Sequence, residues 1–188
     1  MVDSHGEISA VPHVTRGPQA GLHIQEHGVF TFTVRDADGN VTQTVEAHNA
    51  LTTVGANDIL DKWRSASSGA TSLYIGLIAS TGFTALASSD TLASHGGWQE
   101  ADWTATADYA RKLWNPSAAS SGQMTDASDT FNLAGLSGSN VAVRGAFVTD
   151  QATGTVGVLH ATSTFTGGST LTLGNNDTLT ISFSITLS

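Results

Sequence analysis

The chain has 188 residues, enough for one domain with a substantial core. Only 12% of them are charged, well below the roughly 25% of an average soluble protein, and 39% are hydrophobic, which excludes a disordered polypeptide. A net charge of −9 with only 7 Lys and Arg argues against nucleic acid, which is bound by displacing counterions with basic side chains.

The absence of cysteine removes disulfides and thiolate metal sites. No apolar run approaches membrane-spanning length. The first residues, Met1 to Glu7, have neither a basic region nor an apolar core. A soluble protein made in the cytoplasm without a signal peptide is the expectation.

Residues 1–20 lack periodicity and contain Gly6, Pro12, Gly17 and Pro18. They read as an exposed N-terminal arm, and residues 21–188 as a single domain. Leu22 to Val34 predicts a strand with Phe30, Phe32 and Val34 on one face and Val29, Thr31 and Thr33 on the other. Asp36-Ala-Asp-Gly-Asn40 then turns the chain into a second strand, Val41 to Val45, as a β-hairpin. The same residues resemble the start of a calcium loop, but the following ligands and the closing Glu are missing, so a plain turn is the reading.

From Asn49 to Ala66 the period changes. Thr52 or Thr53 is placed to cap a helix, with Ala56, Ile59, Leu60 and Trp63 on one face. Asp58 and Asp61 toward its start, and Lys62 and Arg64 at its end, suit the helix dipole. Such a short helix needs a sheet to pack on. Ile59 and Trp63 are therefore its predicted core anchors. Leu73-Tyr-Ile-Gly-Leu-Ile78 is apolar on both faces and predicts a central strand anchored by Ile75, covered by the helix, with Gly76 admitting another backbone.

Ser80 to Gln99 is a long loop anchored by Phe83, Leu86 and Leu92; loops of this length are usually functional or packed on themselves. Further strands are predicted over Asp108–Trp114, Gln123–Asn132, Val141–Val148 and Val156–Ala161. The last strand alternates most cleanly, with Leu179, Ile181, Phe183, Ile185 and Leu187 on one face. The pattern predicts an all-β fold, a β-sandwich or jelly roll with one short α-helix packed on a sheet.

The chemistry is sparse. None of His5, His13, His23, His27, His48, His95 and His160 forms a pair with ligand spacing. His23 and His27 are separated along a strand by roughly 13 Å. Ser137 lies in Gly135-Leu-Ser-Gly138, which lacks the final glycine of a nucleophile elbow. Glu100 and Asp102 would share a strand face near Trp98 and Trp103. Paired acids beside aromatic platforms suit glycoside chemistry, yet solvated acids beside core or interface tryptophans are the plainer reading. No enzyme, metal or cofactor is expected.

Three segments occur in order: Asn49-Ala-Leu-Thr-Thr-Val-Gly-Ala-Asn-Asp-Ile-Leu-Asp61, then Leu73-Tyr-Ile-Gly-Leu-Ile78, then Phe83-Thr-Ala-Leu-Ala with Asp90-Thr-Leu-Ala-Ser-His-Gly-Gly-Trp98. Together they resemble a family of small structural proteins of tailed bacteriophages. Leu73 stands where that family often has an aromatic residue. Ser120-Ser-Gly-Gln-Met124, Gly145-Ala-Phe-Val148 and the strand from Asp177 are also similar. The likeness runs from about Asn49 to the C-terminus and leaves the first 48 residues uncovered.

The resemblance implies a non-enzymatic head decoration (cement) protein at the outer capsid surface of the virion. Its partners would be the major capsid protein and further copies of itself, as a homotrimer, with no nucleic acid and no membrane. Trp98, Trp103, His95 and Phe83 are the candidate interface residues, and Ile59, Trp63, Ile75 and Phe183 the core anchors. The alternative is a tail or host-recognition module in which Trp98, Trp103 and Trp114 stack on a cell-surface glycan.

Overall fold

A computed structural model describes residues 26–65, 72–102, 109–118, 120–121, 123–126, 128–136 and 140–187. The N-terminal arm, Trp103, Ser137 and the Trp63 side chain lie outside the described residues. The elements in chain order are β1 (Glu26–Arg35), β2 (Val41–Leu51), α1 (Thr53–Ser65), β3 (Leu73–Ala79), β4 (Lys112–Trp114), β5 (Gln123–Thr125), β6 (Asp129–Asn132), β7 (Val141–Thr149), β8 (Leu159–Thr164), β9 (Leu171–Leu173) and β10 (Thr178–Leu187).

The fold is mostly β, with one α-helix among the described residues. The strands form one antiparallel sheet in the order β4-β3-β7-β8-β2-β1-β10-β5, with β6 also on β10 and β9 also on β7. That sheet curls around an inner core. Phe30, Phe32 and Val34 of β1, Ile75 and Leu77 of β3, and Leu179, Ile181 and Phe183 of β10 all meet there. The rings of Phe30 and Phe183 stack at 4.1 Å. Ile75 and Phe183 are buried at 0% and 1% exposure.

The curl closes where its two ends meet. Trp114 of β4 donates its indole N–H to the Phe183 carbonyl of β10 at 3.3 Å. Beside it, the Asn115 N–H donates to Asp126 Oδ2 at 3.2 Å, and the Ser117 N–H to the Thr125 carbonyl at 3.1 Å.

β2 links the two halves. It pairs with β1 from Val41 to His48, then with β8 from Asn49 to Leu51. The strand therefore runs past the Val45 expected from the sequence. Asn49 is drawn into it because its side-chain oxygen accepts the Gly28 N–H at 2.7 Å. The Asp36 turn is an ordinary one: its carboxylate accepts the N–H groups of Asp38 and Asn40 at 3.0 and 2.8 Å. The Asn40 side-chain amide holds the Asp36 carboxyl below its ordinary pKa.

Thr52 is the helix cap. Its hydroxyl accepts the Gly55 N–H at 3.1 Å and donates to the Leu159 carbonyl. This fastens α1 to β8 rather than over β3, correcting the expected packing. Gly55 permits the approach, since a Cβ there would lie 2.2 Å from the His160 carbonyl oxygen. Ile59 is 37% exposed and is not a core anchor. The reason is the helix rotation: Gly55 is buried against β8, and Asp58 Oδ2 lies 3.8 Å from His160 Nδ1. Asp58 also falls beyond the first helical turn, which holds no acidic residue.

Three strand boundaries differ from the pattern. Only Lys112–Trp114 forms β4, because Arg111 turns inward to an ion pair. The run Gln123–Asn132 breaks into β5 and β6 around Ser128, whose φ is 148°. Val156 is 85% exposed and β8 begins only at Leu159, since Asp150 and Thr149 side chains take up the Val158 N–H and carbonyl.

Candidate functional site

Ile78, Leu92, Trp98, Phe147 and Leu159 form a second, outer core, flanked by Phe83 and Leu86. It lies beneath the 80–99 loop. β3 is thus buried on both faces, as its apolar run predicts, but its outer cover is this loop and not the helix. Gly76 meets the Phe147 ring, where a Cβ would sit 2.2 Å from Cζ, so a side chain rather than a backbone makes the close approach.

The loop is held by its own polar groups. Asp90 Oδ2 accepts the Trp98 indole N–H and the Ala87 N–H, both at 3.0 Å. His95 stacks on Trp98 with ring centroids 3.8 Å apart. Its Nδ1 lies 3.0 Å from the Trp98 carbonyl, which fixes the proton on Nδ1. The Thr84 N–H donates to the Gly97 carbonyl at 2.8 Å, and the Thr53 N–H to the Ser88 carbonyl at 2.8 Å, tying the loop to the helix start.

These contacts correct the reading of Trp98 as an interface or stacking residue. Its ring is 2% exposed and spends its polar edge on Asp90. Trp114 is also buried, on the opposite, inner core. Phe83 is half-buried with the Arg144 guanidinium 5.1 Å over its ring, and His95 is half-buried on Trp98. These two keep a partly open surface.

The loop returns along β3 through Glu100, which faces Ile78. Glu100 Oε1 accepts from the Tyr109 hydroxyl at 2.7 Å and from Arg111 Nε at 2.9 Å, and Oε2 from Arg111 Nη2 at 2.7 Å. Arg111 Nη1 donates to the Gln151 carbonyl at 3.1 Å, and its guanidinium lies 5.2 Å over Phe147. Burial, then the Glu100 charge, push the Tyr109 hydroxyl well above its ordinary pKa.

An open cleft of about 450 Å³ adjoins these residues, lined also by Asp102 and the 152–154 turn. Glu100 has both oxygens committed to Arg111 and Tyr109, so it is a structural anion there. Asp102 lines the same cleft with its side chain exposed, whereas Glu100 is tied to Arg111 and Tyr109. Among the described residues no group of three His, Asp or Glu side chains is placed to share a metal ion, and no helix is long and apolar enough to cross a membrane.

Arg111 and the Asp126–Asp129 pair were not marked as organising residues by pattern, and Asp90 entered only as one residue of the loop motif. Asp90 and Arg111 reach partners 8 and 11 positions away, spacings that belong to no regular element. No protein-family model matches this chain, and no curated protein sequence matches it.

Proposed function

We propose that this chain is a non-enzymatic structural protein of a tailed-phage virion, a decoration (cement) protein on the outer head surface that bridges capsid subunits. The observation that carries this reading is how the resembling segments are used. Asn49 bonds Gly28, Thr52 caps the helix onto β8, β3 is buried on both faces, and Asp90, His95 and Trp98 lock one loop. Each of these residues maintains a shape rather than presenting a reactive group.

The acid-rich, hydroxyl-rich surface supports the same role. β2 shows Thr42, Thr44 and Glu46 to solvent, and the chain carries −9 overall. Such surfaces stay soluble alone and meet a complementary partner through many weak contacts. The two halves of the curled sheet facing one core support a β-sandwich; hairpin neighbours β1–β2 and β7–β8 lying side by side in the sheet favour it over a jelly roll. The glycan-binding alternative loses support, since Trp98 and Trp114 are buried.

The test is to add the purified chain to expanded heads that lack it. Saturable binding in a fixed ratio to capsid protein, with a higher temperature of DNA release, is expected. Absence of binding to heads, with binding to tails or host glycans instead, would overturn the reading.

A further inference from the structure

The closure of the curled sheet contains a pair of neighbouring acids, Asp126 and Asp129. Asp126 follows β5 and Asp129 opens β6, and both strands pair with β10. Asp126 is 8% exposed; its N–H donates to the Phe183 carbonyl at 3.1 Å and its Oδ2 accepts the Asn115 N–H at 3.2 Å. It is the acceptor that joins the end of β4 to the β5–β6 side. The Asp129 carboxyl interacts with that of Asp126, and its buried Oδ2 receives no N–H or hydroxyl donor from any other group among the described residues.

Two carboxyls can share a hydrogen bond only when one of them carries a proton. We propose that Asp126 and Asp129 form a proton-dependent clasp on the closure between β4 and β5–β6, tight when they hold one proton between them and loosened when both ionise. The charged groups acting on Asp129 are Asp126, from the same edge, and Lys112, from β4. Lys112 favours the ionised form and Asp126 opposes it. Burial and then the Asp126 charge push Asp129 up to about 6, which sets the pH at which the clasp works.

The direction of the effect is unusual for a carboxylate. The folded-state pKa lies above the ordinary value, so the folded chain binds more protons than the unfolded one between about pH 4 and pH 6. The stabilisation is full below about pH 4 and is lost as the pH rises through about 6. This inference does not depend on the virion reading, which is tested on heads rather than in solution.

The experiment is amide hydrogen exchange on the full chain, followed at Ser117 and Asp126, whose N–H groups close the sheet. Protection factors, corrected for intrinsic rates, should fall about tenfold from pH 4.5 to pH 7. Tenfold is half, on a logarithmic scale, of the roughly hundredfold that two pKa units would give, because Asp129 is partly exposed and water screens it. In Asp129→Asn the fall should vanish. In Lys112→Gln the midpoint should move to higher pH, which keeps the test decisive if the asparagine variant fails to fold. Protection that is flat in the parent, or a fall that persists in Asp129→Asn, would overturn the clasp. So would a midpoint moved by millimolar calcium at fixed pH, since the pair would then be answering to a cation rather than a proton.

Discussion

The inner and outer cores of this protein are built by different means. The inner core is assembled by strand alternation: Phe30, Phe32 and Val34 of β1 and Leu179, Ile181 and Phe183 of β10 alternate into it, and its large side chains are almost wholly apolar. The outer core has a sheet face on one side only. Its other wall is an irregular loop, shaped by the Asp90 carboxylate holding Trp98 and the Ala87 N–H. Packing without polar direction is enough where the sheet fixes the geometry; a loop with no ladder needs directional bonds to obtain one shape.

The largest expected effect therefore lies in the inner core. Phe183→Ala removes a ring that stacks on Phe30 and touches Trp114 across the closure. A loss of about 3–5 kcal/mol of unfolding free energy is expected by denaturant titration. A much smaller loss would mean that the two sheet halves do not share one core.

Next comes the ion pair at the edge of the outer core. Arg111 is almost fully buried against a Glu100 that is about one-third exposed. Glu100→Ala strands a buried guanidinium and should cost about 3 kcal/mol. Arg111→Met, which removes that charge and fills the space over Phe147, should cost clearly less. Equal costs would show that the pair contributes as packing and not as charge.

Asp90→Asn tests the loop directly. It weakens the acceptor for both the Trp98 indole and the Ala87 N–H, and a loss of about 1–2 kcal/mol is expected. The loss should appear as faster amide exchange confined to residues 80–99, with the inner core unchanged. Uniform destabilisation would show that the two cores unfold as one. Ile59→Ser is the smallest change: at 37% exposure the side chain lies off the helix contact, and stability should move by less than about 0.5 kcal/mol.

The same contrast separates what was legible in the sequence from what was not. Phe30, Phe32 and Val34 against Leu179, Ile181 and Phe183 could be placed from period-two alternation, and both runs do line the inner core. Ile75 was placed by an apolar run. Ile59 and Trp98 were misplaced because periodicity marks an apolar residue but not which surface it meets. The helix forms where the period changes, yet Thr52 and Gly55 dock it on β8 and leave Ile59 outward. Trp98 looked like a loop residue free to meet a partner. Its burial depends on an acid eight residues earlier, a partnership that no regular spacing announces.

The proposed role as a structural coat component has a direct quantitative consequence. The most direct measurement is its copy number in purified particles, relative to the major capsid protein. A ratio near one, or a simple fraction set by the capsid lattice, is the predicted result. A handful of copies per particle, or none, would contradict it.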